Sequence, residues 1–131
     1  MEGRTVSGAA ILESLPPRER ELLEGAMVDV TVEAGESLGR TGDFGWAMYL
    51  ILEGSVDIVS DGELVATLGP GDLFGEVALL RAGRRMADVV ARTQLELRAL
   101  FTRDFIRLRD ELTVFEAELR RLIDARLEAS S

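Results

Sequence analysis

Between Met27 and Ala99 glycine recurs ten times, at Gly35, Gly39, Gly42, Gly45, Gly54, Gly62, Gly69, Gly71, Gly75 and Gly83. The stretches between them are short apolar or alternating runs, such as Val28, Val30 and Val32, which recur every second residue. Period two puts such side chains on one face of a strand. Turns at such short intervals leave no room for a long linker and predict a compact all-β barrel or roll.

The two ends of the chain read differently. Leu12, Leu15, Leu22 and Leu23 fall at helical spacing, but Pro16 and Pro17 interrupt the run, which predicts two short helices with the second starting at Pro17. From Thr102 onward, Phe105, Leu108 and Leu112 share a helical face, and Phe115, Leu119, Leu122 and Leu127 continue it at steps of three to five. Thr102 is the expected N-cap. Glu116, Glu118, Arg120, Arg121, Asp124, Arg126 and Glu128 surround this last stripe and read as a solvated face, while the stripe itself suits a lid or a helix pair between two copies. With 131 residues, 47% of them apolar, one hydrophobic core is the expectation. The whole chain, 1–131, is read as one domain: helices over 1–26, a roll over 27–101 and helices over 102–131.

Composition removes whole classes of function. The chain has no Cys and no His, which excludes thiolate nucleophiles, imidazole acid-base chemistry, disulfides and the usual zinc ligands. It also has no Lys, and the remaining carboxylates and hydroxyls form no recognisable catalytic pairing, so the expectation is no enzyme and no required cofactor. A net charge of −9 repels polyanions and argues against direct nucleic-acid binding. No apolar run approaches the roughly 20 residues of a membrane span, and residues 1–10 do not resemble a secretion signal; the expected setting is cytoplasmic.

One segment concentrates chemistry. Residues 69–91 read GPGDLFGEVALLRAGRRMADVVA: a glycine-rich turn, the acidic Glu76 directly after Gly75, a short apolar stretch and three arginines. Gly75 lets a ligand approach the backbone, amides of a turn starting near Glu76 would face a phosphate, and Arg85 could add a charge-assisted pair of hydrogen bonds. Glu76 beside an anion would be repulsive unless it faced hydroxyls, which a ribose supplies. Glu and Arg on one short loop therefore point to a nucleotide whose ribose and phosphate lie close together. A second arrangement stays open, in which Glu76 and Arg85 pair with each other and pin the loop with no ligand.

The same stretch resembles the phosphate-binding cassette of the cyclic-nucleotide-binding family, which includes catabolite-activator-type regulators, kinase regulatory subunits and cyclic-nucleotide-gated channels. The likeness is carried by Phe74, Gly75, Glu76, Val77, Ala78, Leu79 and Leu80, then Arg85, Ala87 and Val89, with Ala34 to Glu36, Gly42, Asp43, Met48 to Ile51, Gly54 and Val56 upstream. The resemblance implies a mainly β fold: an antiparallel, jelly-roll-like β-roll with N-terminal helices, a cassette over 74–89 and C-terminal lid helices. It implies that Gly75 and Glu76 hold the ribose 2′-hydroxyl, that the Ala78 amide meets the phosphate and that Arg85 neutralises it. Ile58, Leu68 and Val77 would lie near the base, and Arg120 or Arg121 would cap it from the lid.

Two positions depart from the family pattern. Met86 stands where the family usually has Ala, Ser or Thr; its amide can still donate, but its thioether offers no useful donor and can crowd the pocket. Asp88 adds negative charge where Thr or Ser is common, and Arg84 can offset it. The function expected is a regulatory sensor of cAMP or cGMP that signals by moving its C-terminal helices to a protein partner or the rest of a longer parent. The alternative is a degenerate, ligand-free roll serving as a protein-interaction scaffold.

Overall fold

A computed structural model describes residues 8–39, 47–75 and 87–129, the last four as backbone only. Helix α1 runs Gly8–Ser14 and α2 runs Pro17–Ala26. Pro17 opens α2, where its missing N–H has no partner to lose, and Pro16 before it is extended at φ −56° and ψ 147°. The prolines divide the helices as their spacing predicts, although α1 starts earlier than the leucine pattern shows.

Among the described residues eight strands follow: β1 (Val28–Val32), β2 (Ser37–Gly39), β3 (Ala47–Glu53), β4 (Val56–Ser60), β5 (Glu63–Leu68), β6 (Leu73–Phe74), β7 (Asp88–Ala91) and β8 (Leu95–Phe101). They form two antiparallel four-stranded sheets, ordered β1-β8-β3-β6 and β2-β7-β4-β5. Asp61 and Gly62 alone turn β4 into β5, with Ser60 paired to Glu63. Helix α3 spans Thr102–Leu108, a 3-10 turn covers Arg109–Glu111, and α4 spans Thr113–Ala129. This is the β-roll with flanking helices that the sequence predicts.

Two apolar clusters share the first sheet. Val32, Ile51, Phe74, Leu95 and Leu97 of that sheet meet Val56, Val89 and Ala91 of the second, filling the roll interior. Met48, Leu50, Leu73 and Leu100 point the other way, into a second cluster with Ile11 and Leu12 of α1, Leu15 just after it, Leu23 of α2, Phe105 and Leu108 of α3, and Phe115, Leu119 and Leu122 of α4. Buried on both faces, β3 therefore reads as a nearly unbroken apolar run, AMYLIL, where a one-sided strand would alternate. The stripe of α4, which in the sequence suits either lid packing or a helix pair, is spent in the chain's own core: Phe115, Leu119 and Leu122 are all buried.

The N-cap expectation at Thr102 is overturned. Phe101, extended at φ −76° and ψ 145°, is the cap residue, and Thr102 is already the first helical residue. The reason is register: Phe101 is still paired with Ala47, so β8 keeps the chain extended to the residue before the helix. The Thr102 hydroxyl is buried and, among the described residues, has no hydrogen-bond partner.

Candidate functional site

The site is organised by the shortest strand. β6 runs beside β3, with Tyr49 opposite Phe74 and Leu50 opposite Leu73, so two consecutive residues of β6 look into different cores. Leu73 joins the helical cluster and Phe74 the roll interior. The turn that leads into β6 is held by Gly71 N–H donating to the Ile51 carbonyl at 2.8 Å and by Ile51 N–H donating to the Asp72 carbonyl at 3.0 Å. Asp72 also accepts from Gly69 N–H at 2.9 Å through its carboxylate. Ala9 N–H of α1 donates to the Gly71 carbonyl at 3.0 Å, which ties the first helix to the same turn.

Gly75 follows immediately, at φ +80°. A methyl group placed there would lie 2.6 Å from the Ala47 carbonyl oxygen, a backbone atom of β3 that cannot step aside. Glycine is thus required twice over, by backbone conformation and by close approach. Phe74 stacks on Tyr49, with ring centroids 5.0 Å apart and an interplanar angle of 23°. Ile58 and Leu68, both half-buried, pack against the same roll-interior cluster as Phe74 and Val89. Ile58 lies opposite Val89 across β4 and β7, and Leu68 opposite Val56 across β4 and β5.

Of the residues singled out from the sequence, Phe74, Ile58 and Leu68 therefore share one apolar cluster, with Gly75 directly after β6 at the edge of the first sheet and Ala87 directly before β7. Glu76, Val77, Ala78, Arg85 and Met86 lie outside the described residues. Arg120 and Arg121 sit on α4, on the helical side of the first sheet, where Arg120 bonds Glu116 at 2.7 Å and Arg121 bonds Glu118 at 2.8 Å. Both guanidiniums are engaged on their own helix in this arrangement. The described part of the candidate site is apolar, while the charged residues expected for a phosphate and a ribose belong to residues 76–86. No group of three or more acidic side chains placed to hold a metal ion occurs among the described residues.

Sequence reasoning did not single out Tyr49 as a lining residue. Its signal was parity: Tyr49 and Ile51 share the face of β3 that looks into the roll. Arg109 and Glu19 were also missed, and neither carries any local motif.

The model of the cyclic nucleotide-binding domain matches residues 29–111. The chain belongs to the cyclic nucleotide-binding domain family. It is 39% identical over 99 residues to the cAMP-dependent protein kinase regulatory subunit of Schizosaccharomyces pombe, covering 75% of this chain and 24% of that protein. The solved catabolite activator protein of Thermus thermophilus superposes with a TM-score of 0.81 at 34% identity, over 92% of this chain and 59% of that one. The regulatory subunit of a cAMP-independent protein kinase A from Trypanosoma brucei does so with a TM-score of 0.76 at 33% identity, over 86% of this chain and 41% of that one. The chain thus spans between a quarter and three-fifths of the length of these relatives. It is a regulatory-type cyclic nucleotide-binding domain, and no helix among its described residues is long and apolar enough to cross a membrane.

The C-terminal helix of this domain carries one strongly perturbed acid. Hydrogen bonds from Arg109 and Arg120 hold the Glu116 carboxyl down at about 2, from an ordinary value of 4.5. A depressed carboxylate contributes stability that is complete above pH 4.5 and is lost as pH falls towards 2. Urea midpoints measured across that window should fall, and Glu116→Gln should remove part of the fall; an identical pH profile in the variant would contradict this.

Proposed function

We propose that this domain binds cAMP or cGMP in the roll, with the phosphate held by the segment that follows Gly75. The observation that carries this reading is the Gly75 turn, forced tight against β3 beside an apolar lining of Phe74, Ile58, Leu68 and Val89. In the full reading, Gly75 and Glu76 take the ribose, the Ala78 amide and Arg85 take the phosphate, and Met86 and Ala87 lie alongside. Val77, Ile58 and Leu68 face the base. A bound nucleotide needs no further cofactor and undergoes no reaction.

Occupancy has a physical route out of the pocket. A shift at Gly75 moves Phe74 and Leu73 together because they are neighbours on one short strand, and Leu73 is packed among α1, α3 and α4. The C-terminal helices then re-settle, with Arg120 or Arg121 free to reach the base once their pairs with Glu116 and Glu118 open. A ligand drives such a change only through its different affinity for the two arrangements. The receiver is a protein partner or the rest of a longer cytoplasmic parent; a helix pair between two copies would need part of α4 to leave the core.

A second reading is favoured by Met86 and Asp88 and by the existence of a similar domain in a kinase regulatory subunit described as cAMP-independent. In it the roll is ligand-free and serves as a scaffold. Calorimetric titration of the protein with cAMP and with cGMP separates the two. Heat at micromolar ligand supports the sensor; no heat at high micromolar ligand with either nucleotide, while Met86→Ala binds, assigns the loss to the thioether. Silence in both proteins sinks the sensor reading.

A further inference from the structure

Helix α4 begins after Leu112, a residue with no side chain able to cap it, so the amides of its second and third residues find no partner within the helix. The partner comes from 95 residues away. Val114 N–H donates to Glu19 Oε2 at 3.2 Å and Phe115 N–H donates to Glu19 Oε1 at 3.0 Å, so one carboxylate on α2 closes both amides of the first turn of α4. Glu19 is 7% exposed and is the one buried charged side chain among the described residues. A carboxylate at a helix N-terminus is also favoured by the helix dipole.

A second grip closes the same joint from the other side. Arg109, in the 3-10 turn, donates from Nε to Glu116 Oε1 at 2.8 Å and from Nη2 to Glu116 Oε2 at 2.7 Å, a parallel fork that spans Leu112. The Arg109 guanidinium lies 5.5 Å above the Phe105 ring of α3. Between these grips Leu112 has an irregular backbone, φ −115° and ψ 44°, where the 3-10 turn gives way to the α-helix. Arg18, beside Glu19, adds an exposed pair with Glu111 at 2.9 Å. The joint at which α4 swings therefore holds the most buried carboxylate among the described residues and a two-bond Arg109–Glu116 ion pair.

We infer that Glu19 is a positioning residue: it latches the C-terminal helix onto α2, while Arg109 ties the same helix to the 3-10 turn, and together they set how readily that helix is released for nucleotide. This rests on the sensor reading above for its consequence, but the latch exists without ligand. If bound nucleotide draws α4 away from its present seat, the latch opposes binding, and weakening it raises the fraction of binding-competent molecules.

The test is residue-resolved amide hydrogen exchange of the nucleotide-free protein, paired with cAMP and cGMP affinity, for wild type, Glu19→Gln, Glu19→Ala and Arg109→Gln. Glu19→Ala should speed exchange at Val114 and Phe115 at least tenfold and should also raise exchange at Leu119 and Leu122, because the whole helix is released. Glu19→Gln, which keeps a neutral acceptor, should fall between, and Arg109→Gln, which removes the fork to Glu116 and the contact over the Phe105 ring, should act in the same direction. Nucleotide affinity should tighten severalfold in the order of the exchange effects. Faster exchange confined to Val114 and Phe115 would reduce Glu19 to a simple cap and overturn the latch, as would unchanged exchange or weaker nucleotide binding in the folded variants. Failure of the wild type to bind either nucleotide would remove the sensor reading and leave the exchange arm to decide the latch.

Discussion

Gly75→Ala is expected to lower the stability of this domain by about 2–4 kcal/mol and to weaken nucleotide binding at least about a hundredfold, a loss of roughly 3 kcal/mol. The stability effect has two sources. A φ of +80° is costly for any residue with a Cβ, and the new methyl would sit 2.6 Å from the Ala47 carbonyl oxygen and 3.5 Å from the Met48 Cα. Neither atom can rotate away, because both belong to β3, which is paired on one side with β6 and on the other with β8. The chain must therefore withdraw from β3 at the position from which residues 76–86 depart. A site built there on backbone amides loses its geometry even in the molecules that remain folded. Urea unfolding and calorimetry on the same preparation read the two effects, and wild-type values for both would refute the role assigned to this turn.

Phe115→Ala should be comparably severe, at about 3–5 kcal/mol, the usual range for emptying a fully buried aromatic position. Phe115 is completely buried and meets Phe105 edge to face at a centroid distance of 6.2 Å and an angle of 65°. Its backbone N–H is one of the two amides held by Glu19. Loss of the ring thus leaves a cavity where α1, α3 and α4 converge, and a large part of a typical domain's margin of about 5–15 kcal/mol is at risk. Far-UV circular dichroism during urea titration should show an early loss of helical signal ahead of the sheet, because the roll interior is a separate cluster that Phe115 does not touch. A single coincident transition at the wild-type midpoint would contradict that division.

Much of this architecture was readable from residue order. The spacing of glycines and the alternation at Val28, Val30 and Val32 specify short strands and tight turns, since backbone freedom and side-chain parity are local properties. Pro16 and Pro17 separate the first two helices for the same reason. The family likeness around Gly75 was likewise legible, and Phe74, Ile58 and Leu68 belong to one apolar cluster in the roll interior. The start of α3 was not legible, because Thr102 has the right side chain for a cap but long-range pairing with Ala47 keeps Phe101 extended beside it.

Local pattern also left undecided what the stripe of α4 faces, since an apolar face at helical spacing is the same whether it covers a pocket, pairs with a copy or docks on its own sheet. Only the folded chain settles it, by bringing α1 and α2 onto the outer face of β3 and β8 and burying Phe115, Leu119 and Leu122 against them. The roles of Glu19 and Arg109 emerge at the same level. One caps amides 95 residues downstream and the other bridges an irregular joint seven residues wide, and neither relation leaves a trace in nearest neighbours. Strands and turns were determined by residue sequence because their causes act within a few bonds. The seat of the C-terminal helix was decided by tertiary structure because its cause is a surface assembled from both ends of the chain.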